Sequence, residues 1–243
     1  MFVLLLKEIK GFFASITGYI VIIVFLLANS IFLFAFPGDM NILDGGYATL
    51  DSFFSMAPWV FLFLVPAITM RSFAEERKSG TMEFLLTKPI TDLQLVLAKY
   101  AGSLILVLFS LVPCLVFFWS VWVLGNPPGN IDTGGTWGAF IGLFLLAAIY
   151  AAIGIFSSVI SDNQIVAFII ALLLSFMFYM GFDYLSSVTG LHAFDSFILN
   201  LGINEHYRSI SRGVVDSRDI IYYLMVITFF VLATKLKLQS RNW

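Results

Sequence analysis

The chain has 243 residues, of which 60% are hydrophobic and only 12% charged, and its formal net charge is −2. Soluble domains carry roughly a quarter charged residues, so this composition predicts a polytopic membrane protein. The slight negative charge argues against a nucleic-acid partner. The single cysteine, Cys114, leaves no disulfide framework or cysteine metal site and is expected to be a small buried hydrophobe.

The first 16 residues predict a helix that lies in the membrane interface. At about 100° per residue, seven apolar side chains share one face, whereas Lys7 and Lys10 lie on the other. The seven are Phe2, Leu5, Leu6, Ile9, Phe12, Phe13 and Ile16. A signal peptide is the alternative, but the apolar stretch that follows is too long and lacks a clean small-x-small cleavage site.

Six hydrophobic stretches are long enough to cross a bilayer. Thr91 and Gln94 are expected to form a capping box at the start of the third, and Pro113 is expected to kink it. Small residues at four-residue spacing in the fourth predict close helix contacts, within one chain rather than at a dimer seam. We expect residues 1–243 to form a single transmembrane domain, with spans at about 17–36, 53–70, 93–124, 137–160, 165–184 and 220–238.

The polar stretch Thr189–Asp219 predicts two short amphipathic helices before the sixth span. Asp183, just ahead of it, is expected to be a helix-end acid in contact with water. His192 and His206 are too isolated to indicate a metal site and are expected at the surface. The first short helix would present Leu191, Phe194, Phe197, Ile198 and Leu201, and the second Tyr207, Ile210 and Val214.

The distribution of bases predicts the orientation, because cytoplasmic loops carry an excess of Lys and Arg. With both termini in the cytoplasm, ten bases fall on the cytoplasmic side and three on the outer side, and the charged stretch Arg71–Pro89 is cytoplasmic. The ten are Lys7, Lys10, Arg71, Arg77, Lys78, Lys88, Lys99, Lys235, Lys237 and Arg241; the three are Arg208, Arg212 and Arg218.

Sequence signatures of catalysis are missing from the chain. It contains no phosphate-binding G-x-x-x-x-G-K-[ST] loop, no H-E-x-x-H and no G-x-S-x-G. Glu75 and Glu76 are adjacent, as paired glutamates are in some intramembrane proteases, but no histidine lies on the same side of the membrane. We therefore expect no catalytic residue, no metal site and no cofactor bound by this chain. The Phe-, Leu-, Ile- and Val-rich spans do not suit a hydrated ion path.

The sequence FAEERKSGTMEFLLTKPI, residues 73–90, closely resembles the loop between spans two and three of type-2 ABC transporter permeases. The resemblance implies a coupling helix that docks on a separate ATPase, which would bind the ATP and Mg²⁺. It also implies a second permease subunit, forming a homo- or heterodimer. The residues that match the motif are Glu75, Glu76, Arg77, Gly80, Thr81, Glu83, Leu85, Leu86 and Pro89. The apolar contacts with the ATPase would be Met82, Leu85 and Leu86. Ion pairs at the rim of this contact could be formed by Glu75, Glu76, Arg77 and Lys78.

A narrower likeness is to the gliding-motility-associated (GldF-like) permease subunits of Bacteroidetes bacteria. It rests on FPGDMNILDGGYATLD, on APWVFLFLVPAITMRSFAEE and on HYRSISRGVVDSRDIIYYL near the end. Related copper-site-maturation permeases share the segment R-G-V-x-D-x-R-D, residues 212–219. The likeness adds outer-side candidate residues, namely Arg208, Arg212, Asp216, Arg218 and Asp219.

The resemblance therefore implies a non-enzymatic permease subunit of an ABC exporter in the bacterial inner membrane, surrounded by membrane lipids. It implies an all-α fold with an interfacial N-terminal helix, six spans, a cytoplasmic coupling helix and two short outer helices. A role in gliding motility or secretion follows from the narrower likeness alone. The alternatives are a non-transporting membrane anchor of a periplasmic machine and, less in keeping with the residues, an intramembrane protease.

Overall fold

The structure, a computed structural model, describes residues 2–82, 90–189 and 198–240. Within these ranges every regular element is helical, and six helices are long and apolar enough to cross a membrane. The prediction of an all-α polytopic membrane protein with six spans is confirmed. Spans 1 to 6 are Gly18–Ala35, Asp51–Lys78, Asp92–Leu124, Thr133–Ile160, Gln164–Ser187 and Ser217–Gln239.

Shorter elements surround or interrupt the spans. An N-terminal helix precedes span 1, and one further helix, here called the inserted helix, occupies Ile203–Ile210 ahead of span 6. A one-turn helix, Ile42–Gly45, follows span 1. The helical segments are Phe2–Phe13, Ile16–Ser30 with a π turn Ile31–Ala35, Asp51–Thr69, Arg71–Lys78, Asp92–Leu111, Leu115–Leu124, Thr133–Ile160, Gln164–Phe176 with a π turn Met177–Gly181, Phe182–Thr189, Ile203–Ile210 and Ser217–Gln239.

Span 4 lies at the centre of the bundle and packs against spans 2, 3, 5 and 6. Its glycines permit contacts that a larger residue would block. A Cβ on Gly154 would lie 2.0 Å from Thr69 Oγ1 of span 2, and one on Gly142 would lie 2.4 Å from Ile210 Cγ2. The small residues therefore serve contacts within the chain, as the sequence predicts.

Local signals in span 3 are also borne out. Gln94 N donates to Thr91 Oγ1 and Thr91 N donates to Gln94 Oε1, which completes the capping box. A 3₁₀ turn, Val112–Cys114, contains Pro113 and divides the span into two α-helical parts. Cys114 is fully buried, as expected.

The first helix of span 2 ends at Thr69, next to the expected end at about 70, and a second helix, Arg71–Lys78, extends it with only Met70 between them. One predicted position is wrong. Val214 does not lie on the second amphipathic helix and is 65% exposed, because the helix ends at Ile210 and the chain turns at Gly213 with φ +84°.

Some predicted features fall outside the described residues. Residues 190–197, which include His192 and most of the first predicted short helix, are among them, as are residues 83–89. The bundle has two ends, which we name for what they carry. The basic end holds the N-terminal helix, the helix Arg71–Lys78 and the start of span 3, and the far end holds the inserted helix.

Candidate functional site

The charged helix Arg71–Lys78 at the basic end terminates through backbone geometry that the sequence encodes. Gly80 has φ +68°, a left-handed conformation that glycine adopts without a steric penalty. Gly80 N donates to Arg77 O and Thr81 N donates to Glu76 O, the paired hydrogen bonds of a Schellman motif. The chain therefore leaves the helix in a fixed direction toward residues 83–89.

A buried lysine organises the basic end. Lys99, in the second turn of span 3, is only 1% exposed, and its Nζ lies 2.8 Å from Glu8 Oε1 and 3.0 Å from Glu76 Oε2. The contact to Glu76 is an ion pair by distance but lacks hydrogen-bond geometry. Lys99 Nζ also donates to the Ser72 carbonyl oxygen and lies 5.0 Å from the centre of the Phe73 ring.

Lys7 extends this cluster into a chain of alternating charges. Its Nζ donates to Glu76 Oε1 at 3.0 Å, so Glu76 bridges two lysines, as Lys99 bridges two glutamates. Two positive and two negative groups thus balance one another in a partly buried place. We call Lys7, Glu8, Glu76 and Lys99 the charge network; it joins the N-terminal helix, span 2 and span 3.

The structure places the predicted docking residues in different environments. Glu75 and Lys78 are exposed, whereas Glu76 is buried in the charge network and is not presented as a rim ion pair. Arg77 reaches Asp162, in the turn between spans 4 and 5, with its NH1 3.3 Å from the Oδ1 of Asp162. Gly80 and Thr81 are exposed and Met82 is buried. Glu83, Leu85, Leu86 and Pro89 lie outside the described residues.

Two members of the charge network, Glu8 and Lys99, were not singled out by sequence reasoning. Lys99 was counted only as a cytoplasmic base, and Glu8 was assigned no role. A usable signal exists in retrospect. Lys99 stands alone in the run LVLAKYAGSLILVLF, and a lone ion in a span normally pairs with another.

The far end holds a second polar cluster, built around the inserted helix. Tyr207 Oη donates to the Phe54 carbonyl oxygen of span 2 at 2.7 Å. Burial raises the pKa of the Tyr207 phenol well above its ordinary value, with the neighbouring tyrosines 179 and 223 adding to the effect, which suits its role as a donor. Asn204 Nδ2 donates to Asp183 Oδ2. Asp183 is therefore bound to protein rather than left as a helix-end acid in water.

The sequence suggested that His206 is an isolated surface histidine, but the structure gives it three partners. Its Nδ1 lies 2.7 Å from Asp219 Oδ1, its Nε2 lies 3.0 Å from the Asn200 carbonyl oxygen, and its ring stacks on Tyr222 at 3.9 Å. Both ring nitrogens thus face oxygen atoms of neighbouring residues. The His206–Asp219 pair fastens the inserted helix to span 6.

The outer-side candidates do not form a single group. Asp219 is buried against His206, whereas Arg208, Arg212 and Arg218 are exposed. Asp216 caps span 6 by accepting from Arg218 N at 2.9 Å. Within residues 2–82, 90–189 and 198–240 no group of three or more His, Cys, Asp or Glu side chains is placed to hold a metal ion. The far-end cluster is suited to holding the inserted helix in place.

Comparison with known proteins agrees with this architecture. Residues 40–235 match the family model described as ABC-2 family transporter protein. The matched residues include spans 2 to 5, most of span 6, and both polar clusters apart from Lys7 and Glu8 of the N-terminal helix. No curated protein matches the sequence. Membrane subunits of this family are transporter components that are not themselves catalytic and generally work with an ABC ATPase. With most of its length matched and six membrane-crossing helices, the chain belongs to the ABC-2 family of transporter proteins.

Proposed function

We propose that this chain is a permease subunit that couples ATP hydrolysis by a separate ATPase to movement of its spans. The segment Arg71–Pro89 would be the docking element, with the exposed Glu75 and Thr81 and the half-buried Arg77 at its rim. Leu85 and Leu86 would supply apolar contacts, and Glu83 and Pro89 would shape the element. Met82, which the sequence suggested as a third apolar contact, is buried in the core of this chain and is not available to a partner. ATP and Mg²⁺ would be bound by the ATPase.

The charge network is the observation that carries this proposal. The docking element is continuous with span 2 and is joined through Glu76 to Lys99 of span 3 and to Lys7 of the N-terminal helix. Breaking a buried ion pair costs about 3–5 kcal/mol, so these elements are expected to move together. A force applied at residues 71–89 would tilt them as one body rather than bend a loose loop.

Two glycines give a matched test of the docking element. Gly80 and Gly46 share φ +68°, and no atom lies within 4 Å of a Cβ built on either one. Gly80→Val and Gly46→Val therefore impose similar backbone strain, one at the basic end and one at the far end. We expect Gly80→Val to lower ATPase copurification and transport-coupled ATP hydrolysis, and Gly46→Val to leave both unchanged.

Leu85→Asp provides an independent variant, because it alters a proposed apolar docking contact without changing the backbone turn. Copurification of the ATPase with both Gly80→Val and Leu85→Asp at the wild-type level would overturn the docking assignment. Equal loss in Gly46→Val would show a general folding defect instead of a docking defect.

We further infer that the chain lies in the bacterial inner membrane with both termini in the cytoplasm and pairs with a second permease subunit. The base asymmetry supports the orientation, since the basic end carries Lys7, Arg71, Arg77 and Lys78. Cysteine accessibility offers a direct check: a cysteine at exposed Ser79 should react only from the cytoplasm and one at exposed Arg212 only from outside. Crosslinking of differently tagged copies would distinguish homodimer from heterodimer.

A role in gliding motility or secretion is supported by sequence likeness alone, in the stretches 36–51, 57–76 and 206–224. Deletion in a gliding bacterium should abolish gliding, and wild-type chain but not Gly80→Val should restore it. The anchor alternative differs in one respect. An anchor would support gliding even in a complex whose ATPase cannot hydrolyse ATP, whereas a coupled exporter would not.

A further inference from the structure

A cavity of about 350 Å³ opens between the N-terminal helix, span 2 and span 3 at the basic end. Its depth in the membrane follows from its walls. Arg71 begins the polar part of span 2, whereas Phe12, Ile68 and Leu106 line the apolar side of the same cavity. A space with one charged side and one apolar side, at the level where a span turns polar, lies where lipid headgroups meet acyl chains.

The described residues that line the cavity carry both signs of charge. They include two bases, Lys7 and Arg71, and three acids, Glu8, Glu75 and Glu76. Lys99, buried behind the cavity, pairs with Glu8 and Glu76, so these residues present no excess of bases. Anionic lipids are recognised by clusters of bases without matching acids. A lining with both signs instead complements a zwitterion.

The hydroxyl groups on the walls sharpen this preference. Ser15, Ser79 and Ser103 each donate to a backbone carbonyl oxygen of the preceding turn, at 3.0, 2.8 and 3.1 Å. Ser15 Oγ also accepts from Gly18 N, and Ser79 Oγ also bonds Thr81 Oγ1. With their protons engaged, these hydroxyls offer a ligand their remaining lone pairs as acceptors. Together with the exposed Glu75 carboxylate, they suit a ligand group that donates several hydrogen bonds, such as a primary ammonium.

The cavity also offers hydrogen-bond donors for a negatively charged group, such as a phosphate. Lys7 uses one of its three ammonium protons on Glu76, and its side chain is still 59% exposed. The Arg71 guanidinium lines the same cavity; it already has a partner within the chain, but its fork of several N–H donors leaves capacity for phosphate oxygens. The cavity therefore offers acceptors for an ammonium group and donors for a phosphate.

We propose that this cavity binds the headgroup of a membrane phospholipid that carries a phosphodiester and a primary ammonium, as phosphatidylethanolamine does. The volume falls within the range of about 300–1,000 Å³ that small-ligand sites occupy. The lipid would wedge between the N-terminal helix and the charge network and would thereby stabilise the N-terminal helix on span 2.

Purified chain in detergent can test the proposal without any ATPase. Three lipids would be titrated and counted by native mass spectrometry: phosphatidylethanolamine, phosphatidylcholine, whose quaternary ammonium cannot donate, and anionic phosphatidylglycerol. We expect phosphatidylethanolamine to bind about tenfold more tightly than either. Soluble glycerophosphoethanolamine forms a fourth arm, and its binding as tightly as the lipid would assign the site to a soluble metabolite instead.

Gly11→Phe supplies a cavity-filling variant, because no atom lies within 4 Å of a Cβ at Gly11. Val3→Phe is its control, since Val3 is on the same helix and is 81% exposed. We expect Gly11→Phe to lose preferential phosphatidylethanolamine retention and Val3→Phe to keep it. Glu75→Gln is a second variant for the case in which Gly11→Phe misfolds, because Glu75 is exposed and the change leaves packing intact. We expect it to weaken phosphatidylethanolamine retention about tenfold.

The opposite results would overturn the proposal. Equal retention of phosphatidylethanolamine and phosphatidylglycerol would show that the lining with both signs of charge does not select a zwitterion. Retention unchanged by both Gly11→Phe and Glu75→Gln would place any bound lipid elsewhere. If none of the lipids binds, the proposal is wrong and the cavity is a contact for a protein partner instead.

Discussion

The two ends of the bundle hold their peripheral helices in different ways. At the basic end, the N-terminal helix is joined to the spans by formal charges, through the Lys99 contacts to Glu8 and Glu76. At the far end, the inserted helix is held by hydrogen bonds to spans 2, 5 and 6 and by close packing of Ile210 on Gly142 of span 4.

The difference has a physical consequence. Ion pairs act over several ångströms and tolerate small shifts, and the basic end also contains an open cavity beside its charges. Contacts such as Ile210 on Gly142 leave no spare room, because even one methyl group would clash. We therefore expect the basic end to tolerate small shifts as a connected unit and the far end to hold one position.

The largest expected effect would come from removing the centre of the charge network. Lys99→Ala leaves the Glu8 and Glu76 carboxylates without their shared buried partner, and we expect the free energy of unfolding to fall by about 3–5 kcal/mol. Unfolding in detergent, followed by tryptophan fluorescence, would measure it. Lys78→Ala is the control, because Lys78 is exposed and lies outside the charge network. It should lower the free energy of unfolding by less than about 0.5 kcal/mol. Similar losses in the two variants would show that the network is not structural.

Overpacking the far end comes next. Gly142→Ala places a methyl group 2.4 Å from Ile210 Cγ2, and we expect a loss of about 2–3 kcal/mol. Gly11→Ala is the matched change in a helix with open space, and it should instead stabilise by about 0.5–1 kcal/mol. Introducing Ile210→Ala into Gly142→Ala should recover part of the loss; no recovery would mean that the inserted helix is not seated on Gly142.

His206→Ala tests the polar part of the far end. The change removes the partner of the buried Asp219 Oδ1 and the ring that stacks on Tyr222, so we expect a loss of about 1–2 kcal/mol. Protease sensitivity near residues 203–210 should rise as the inserted helix loosens. Glu205→Ala, exposed on the same helix, should change neither measurement. If His206→Ala does not change protease sensitivity near residues 203–210, the inserted helix is held in place by packing alone.

The smallest effect is expected at the exposed pair of Arg77 and Asp162, whose NH1 and Oδ1 atoms lie 3.3 Å apart. Exposed ion pairs contribute at most about 1 kcal/mol, so a double-mutant cycle with Arg77→Ala and Asp162→Ala should give a small coupling energy. A coupling above about 2 kcal/mol would show that this pair, and not only the buried network, ties the docking segment to the bundle.

The sequence alone determined the class of fold, because hydrophobic length and period are local properties. It determined the capping box at Thr91, the break at Pro113 and the glycine contacts of span 4 for the same reason: each depends on residues a few positions apart or on side-chain size. The resemblance of residues 73–90 to a permease loop was readable because those residues are contiguous.

Only the tertiary structure decided which charges meet. Glu8 and Lys99 are 91 positions apart, and His206 and Asp219 stand on separate helices, so no local spacing brings them together. Glu76 illustrates the limit. Its motif position indicated a docking residue, but the rotation of its helix directs its carboxylate inward, toward Lys7 and Lys99. Helix packing sets that rotation, and the resulting low-dielectric site determines which ions are paired and which remain exposed.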